Sequence, residues 1–163
     1  MLIKVISGGQ TGVDQAALRA ARKVGLATGG TAPKGWETLD GSAPWLVDFG
    51  LVECPRPGYP PRTEFNVVES DATLRIARNF STPGEILTMS LCEKHKKPSL
   101  SIVDFDLWSA SLEGMIYRLA RFVYDWNIHT LNVAGNAEQH AKGIGTVAEN
   151  YLVRAFSKIR GVV

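Results

Sequence analysis

Six residues near the start of the chain, Ser7-Gly8-Gly9-Gln10-Thr11-Gly12, have the composition of an anion cradle. An oxyanion approaching the carboxyl end of a strand needs bare backbone N–H groups and a helix N-terminus aimed at it, and glycines remove the side chains that would block the approach. Ser7, Gln10 and Thr11 add hydroxyl and amide donors. The same residues also suit a tight strand-to-helix turn with no ligand, but their position directly after the first strand favours the anion. The loop has no Lys-Ser/Thr pair of a Walker type. It also lacks the full dinucleotide fingerprint, since no acidic residue ends a clear second strand about twenty residues later. Asp14, in the first turn of the following helix, reads as a cap or dipole partner, with a sugar hydroxyl or a metal as its functional alternatives.

Further polar groups recur along the chain. Thr31-Ala32-Pro33-Lys34-Gly35-Trp36 offers a cation, a glycine and an aromatic in one bend. Arg62 in Tyr59-Pro60-Pro61-Arg62-Thr63 can clamp an oxyanion with two donors, and Asn66 shares its helical face four residues on. Ser70-Asp71 precedes a strand and also suits a turn. Ser81-Thr82-Pro83-Gly84-Glu85 opens a helix and predicts a capping box between Thr82 and Glu85. Gly135-Asn136 and Lys142-Gly143 form another strand–loop–helix junction. In a parallel sheet all these junctions open on one edge. His95, His129 and His140 occupy unrelated contexts, and no nucleophile–base pair stands out.

The elements that must position these groups alternate. Leu2–Ser7 reads as a buried parallel strand, and Val13–Val24 as a helix with a small-residue face and Gly25 at its end. Residues 27–61 predict short strands and a surface excursion. Thr63–Val68 predicts a helical turn or two, Thr73–Ala77 a strand, Thr82–Lys97 a helix with Pro83 early in it, and Ser99–Val103 a strand. Ser109–Trp126 carries apolar residues at spacings of three and four. Thr130–Ala134 is a strand, Gly135–Gly145 a loop and Thr146–Ile159 the closing helix. The pattern predicts a single α/β domain over residues 1–163, a Rossmann-like three-layer sandwich with a mainly parallel sheet and helices on both faces.

With 45% hydrophobic and 21% charged residues the 163-residue chain is globular rather than disordered. A formal charge of +2 without a basic stripe argues against a nucleic-acid partner, and Lys94, Lys96 and Lys97 suit a helix C-terminus. No apolar run is long enough for a membrane span, and the opening residues do not read as a signal peptide. Cys54 and Cys92 stand in no ligand-like spacing. We expect a cytoplasmic protein with two reduced thiols and no metal site.

Taken in order, Ile6–Asp14, Ala32-Pro33-Lys34-Gly35, Arg62-Thr63 with Asn66-Val67, Ser70–Leu74 and Leu131-Asn132-Val133-Ala134-Gly135 give a chain that resembles the molybdenum carrier proteins. These are a branch of the superfamily that includes the lysine-decarboxylase-like cytokinin-activating enzymes and the DNA-processing Rossmann folds. The resemblance implies a homodimer or homotetramer that binds molybdate or a molybdenum cofactor, without catalysis, in a cationic pocket. Its site would comprise Ser7, Gly8, Gly9, Gln10, Thr11, Gly12, Lys34, Gly35, Arg62, Thr63, Asn66, Ser70 and Asp71, with Thr82, Gly84, Gly135, Asn136 and Lys142 on the same edge. The chain departs from the family after Gly135: Ala137 stands where an arginine is usual, and Lys142 is the nearest cation to replace it. The alternative is a nucleotide-binding protein or a hydrolase of nucleotides or N-glycosidic bonds, as the cytokinin-activating relatives suggest, with Glu85 as a possible acid.

Overall fold

The computed structural model describes residues 1–161. Strand β1 (Lys4–Ile6) leads through the glycine loop into α1 (Val13–Lys23), and β2 (Ala27–Ala32) follows. The excursion holds a 3-10 turn at Lys34–Trp36, a small hairpin of β3 (Glu37–Thr38) and β4 (Gly41–Ser42), a second 3-10 turn at Pro44–Phe49, and β5 (Leu51–Glu53). Next come α2 (Tyr59–Glu69), β6 (Ala72–Ala77), α3 (Pro83–Lys94), β7 (Ser99–Val103), a 3-10 turn at Asp104–Trp108, α4 (Leu112–Asp125), β8 (Thr130–Gly135) and α5 (Ile144–Arg160).

Six strands form one sheet in the order β5-β2-β1-β8-β6-β7, every neighbouring pair parallel. Val5 pairs with Thr28 on one side and Leu131 on the other, which makes β1 central. Strand β6, sequence ATLRIA, is buried along its whole length, Arg75 included. Helices α1, α4 and α5 pack together on one face, and α2 and α3 pack together on the other. The alanines Ala16, Ala17, Ala20 and Ala21 are wholly buried. Their small side chains allow the close approach of α1 to the sheet and to α5. The chain is thus a Rossmann-like α/β fold with a parallel sheet between two helical layers.

Helix boundaries depart from expectation for local reasons. Helix α2 begins at Tyr59 rather than Thr63, because Pro60 and Pro61 fall in the first turn, where a missing N–H leaves no bond unmade. The apolar pattern ahead of α4 includes a 3-10 turn, and α4 itself begins at Leu112. Cys54 and Cys92 are buried and free.

Two glycines hold strand and loop at close quarters. A Cβ on Gly135 would stand 2.0 Å from the Ile76 carbonyl oxygen, and one on Gly12 (φ 78°) 2.5 Å from that of Asn136. Gly143 also has positive φ (87°) but nothing within 4 Å of a Cβ. Gly135→Ala is therefore expected to cost about 2–3 kcal/mol through overpacking, and Gly143→Ala only about 1 kcal/mol through left-handed strain. Urea unfolding of the two variants checks the ordering.

Candidate functional site

A cavity of about 380 Å³ opens at the carboxyl edge of the sheet, on the face that carries α2 and α3. Its walls come from four junctions: Gln10 and Asp14 after β1, Tyr59–Thr63 at the start of α2, Thr82–Thr88 at the start of α3, and Ala134–Ala137 after β8. Leu39 from the hairpin and His140 complete the rim. Strands β1 and β8 are neighbours although they lie at opposite ends of the chain. The edge of an open parallel sheet near such a break in strand order is where ligand crevices form.

The glycine loop does not present itself to this cavity as a bare cradle. Ser7 to Gly12 are all buried, and of the six only Gln10 lines the cavity. The amide of Gly9 donates to Ser7 Oγ (3.3 Å), that of Gln10 to Asp14 Oδ2 (3.2 Å), and that of Thr11 to Gln10 Oε1 (2.9 Å). Gly9 is bare because Leu46 and Leu51 press on it, and Gly12 because the Asn136–Glu138 backbone does. The anion that the loop holds is its own Asp14 carboxylate, flanked by the amides of Gln10, Gly8 and Gly135. Asp14 thus serves as a loop anchor rather than as the helix cap expected of it.

Gly8 has a different reason to be glycine. A Cβ there would lie 1.8 Å from Arg62 Nη1, so the guanidinium rests on the bare face of the loop. From that seat Nη1 reaches Asp14 Oδ2 at 3.4 Å, while the buried Nε has no partner. Burial pushes the Asp14 carboxyl above its ordinary range, and Arg62 with the loop amides opposes that rise.

A second pair lies alongside. Arg75, inside β6, places Nη2 3.2 Å from Glu85 Oε2 and 3.0 Å from the Glu85 carbonyl, and its Nη1 donates to Ser101 Oγ at 3.1 Å. The carboxylate contact is close but poorly aligned, since Glu85 Oε2 and Arg75 Nε make no hydrogen bond. Glu85 is 3% exposed. Burial raises its pKa to about 7; Arg75 opposes this rise and Asp14 adds to it. The capping box expected between Thr82 and Glu85 is absent, because Glu85 turns inward to Arg75 and Thr82 makes no side-chain cap.

The remaining expected site residues separate into two groups. Thr63, Thr82, Gly84, Gly135 and Asn136 line the cavity, although Asn136 Oδ1 is engaged by the amides of Arg78 and Asn79. Lys34, Gly35, Asn66, Ser70, Asp71 and Lys142 do not line it. Lys34 and Gly35 are exposed on the turn after β2, where the Gly35 amide donates to Glu53. Asn66 is buried and locks onto both backbone groups of Thr31. Ser70 and Asp71 stand at the opposite, amino end of β6, where Asp71 accepts from the amides of His129 and Thr130. Lys142 is exposed, and its carbonyl accepts from Arg78. Ala137 lines the cavity with no charge to offer. Sequence reasoning missed Arg75, whose signal was a charge inside an otherwise apolar strand. Among the described residues no group of three or more His, Cys, Asp or Glu could hold a metal ion, and no helix is long and apolar enough to cross a membrane.

No similar sequence is found among curated proteins. Among solved structures, the chain is 35% identical to a "putative molybdenum carrier protein" from Syntrophus aciditrophicus SB, with a TM-score of 0.86 over 95% of this chain and 94% of that one. The model of the circularly permutated YpsA SLOG family matches residues 5–156. With nearly the whole chain covered by both, this protein belongs to the circularly permutated YpsA SLOG family.

Proposed function

We propose that the protein is a cytoplasmic carrier that binds a molybdenum-containing small molecule in the cavity, without making or breaking a bond. The observation that carries this is Arg62: a guanidinium with an unpartnered Nε at the wall of the cavity, in a chain similar over its length to one named for molybdenum carriage. The organic cofactor fits better than bare molybdate. A cavity of about 380 Å³ lined by Leu39, Pro60, Pro83, Leu87 and Ala134 is of the size and character that hold a small organic molecule. Two carboxylates in its wall would oppose a lone dianion. Arg62, Gln10 and Thr63 are the residues that would hold the anionic group. When bound, the cofactor would supply a metal centre for delivery rather than for a reaction here. Assembly into a homodimer or homotetramer is part of the same proposal, through Tyr117 of α4 and Trp126 just past its end, which are 56% and 60% exposed. Trp108, 61% exposed just ahead of α4, is a further aromatic offered for assembly.

A second reading is favoured by one specific observation. Glu85, with a pKa near 7, sits beside Asp14 in the cavity wall. A carboxyl poised at neutrality next to another is the equipment of general acid catalysis. This suits hydrolysis of an N-glycosidic bond in a bound nucleotide.

Ultrafiltration of the protein with isolated molybdenum cofactor, and separately with molybdate, followed by metal analysis, tests the first reading. Near-stoichiometric retention of the cofactor is expected, with at least tenfold weaker binding by Arg62→Ala and by Gly8→Ala, which fills the guanidinium's seat. No retention of either form rejects the carrier. Release of free base from a nucleoside monophosphate, abolished in Glu85→Gln, would put the hydrolase in its place. Size-exclusion chromatography with light scattering checks assembly, where a monomer at high concentration rejects the oligomer.

The Glu85 proton also has a signature in stability. A carboxyl raised from 4.5 to about 7 stays protonated in the folded state while the unfolded chain loses its proton. The unfolded state then binds fewer protons between those pH values, so stability falls as pH rises through that window and levels off above 7. The slope from one such group reaches about 1.4 kcal/mol per pH unit. Urea midpoints from pH 4.5 to 8 should show this fall in the parent and a flatter profile in Glu85→Gln. Equal slopes would mean that Glu85 ionises normally.

A further inference from the structure

Resting on the carrier reading for what passes beneath it, we infer that the hairpin Glu37–Ser42 is a lid on the cavity. It is latched shut by Gln10 and Gln139, and it swings about its base at Trp36 and Ala43 to admit and release the ligand.

The hairpin is held differently at its two ends. None of its residues is buried, yet Leu39 at its tip lines the cavity while 44% exposed. The base is firm. Trp36 and Ala43 pack with Leu18, Ala32, Leu46 and Leu51, and the Ala43 amide donates to the Trp36 carbonyl at 2.9 Å. Ser42 Oγ adds a bond to the Gly35 carbonyl at 2.7 Å. The tip holds its own shape, since Thr38 Oγ1 donates to the Gly41 carbonyl at 2.7 Å and accepts from the Asp40 amide at 3.1 Å. Such a unit moves whole.

Two side-chain amides secure the tip to the rest of the protein. The Leu39 amide donates to Gln10 Oε1 at 2.9 Å, and Gln139 Nε2 donates to Asp40 Oδ1. Thr11 sets both glutamines: its amide donates to Gln10 Oε1 (2.9 Å) and its Oγ1 to Gln139 Oε1 (2.6 Å). Gln10 also lines the cavity, so one side chain both latches the lid and meets the ligand. Hydrogen bonds of this kind add little net stability, so the tip can open while the core stays folded.

The base carries the mark of a moving part. Gly35 (φ 78°) and Trp36 (φ 57°) are left-handed in succession. Glycine takes that region freely, but a bulky tryptophan there is an outlier, and such strain gathers at switch segments. Opening lets the Trp36 backbone relax. The latch and the seat of Leu39 hold it in.

Amide hydrogen exchange on the full-length protein, without ligand, reads the latch. We expect the Leu39 amide to exchange about tenfold faster in Asp40→Ala and in Gln139→Ala, the net worth of one hydrogen bond. The Ala43 amide should keep its parent rate. A second measurement reads access. Ala137 lines the cavity and is 5% exposed, so the thiol of Ala137→Cys should react with an aromatic disulfide reagent about tenfold faster once Asp40→Ala is added. The buried Cys54 and Cys92 of the parent give the background. The exchange measurement stands even if Ala137→Cys folds poorly. Equal Leu39 exchange in all three proteins overturns the lid, as does an Ala43 amide released together with it, or labelling that Asp40→Ala leaves unchanged. Bound molybdenum cofactor should also leave Asp40→Ala about tenfold faster than the parent. Its retention with an unchanged release rate overturns the lid and leaves the carrier reading intact. Faster exchange and labelling, with no cofactor retained by the parent, supports the lid while rejecting the carrier.

Discussion

The contact between Arg62 and Asp14 across the bare face of Gly8 ties the site together. It joins α2 to α1 over the end of β1, and it determines what the glycine loop can do. Asp14 draws the loop amides onto itself, and Arg62 offsets the charge this creates inside the protein. Removing one member of such a pair leaves an uncompensated buried charge, which typically costs 3–5 kcal/mol. The pair is therefore a constraint on the loop before it is a ligand site. A loop whose amides already hold a carboxylate does not need an exogenous phosphate to be satisfied.

The topology explains why the cavity lies where it does. Helices α1 and α5 follow the adjacent strands β1 and β8 and lie side by side on one face. The amino end of α5 is closed by Glu138, whose carboxylate accepts from the amides of Gly143 and Gly145. Both junctions next to the break in strand order are thus plugged by internal carboxylates. The opposite face is different, because α2 and α3 start from strands on either side of the break. The gap between their amino ends remains open, and the cavity occupies it.

The architecture was legible in the sequence because apolar periodicity records burial, and burial is what strands and helices share in a parallel sheet. The strand Ser99–Val103 and the alanine face of α1 fall where the pattern places them. The site was legible only in part. Arg62, Thr63, Thr82 and Gly135 line the cavity, but Ser70 and Asp71 precede their strand and so fall on the wrong edge. Glycines mislead in a particular way. Gly8, Gly9 and Gly12 look like a cradle, yet each is bare because a different neighbour, side chain or backbone, occupies the space of its Cβ. Sequence shows that a side chain is missing, not what fills its place. Lys142 illustrates the same limit, since a cation on the correct loop still faces solvent.

Charge balance then bears on the kind of ligand. The cavity wall and the residues behind it hold two guanidiniums and two carboxylates, paired one to one. A pocket built for a free dianion would carry an excess of cations, and this one has none, with Ala137 adding no charge to the wall. Adding a bare oxyanion would leave charge without a counterion in a place where desolvation is expensive. An organic ligand avoids this, because its anionic group can meet Arg62 while the rest of it lies against the apolar lining of Pro60, Pro83, Leu87 and Ala134. The uncharged Ala137 and the inward turn of Glu85 then act in the same sense. Both leave the cavity without surplus charge.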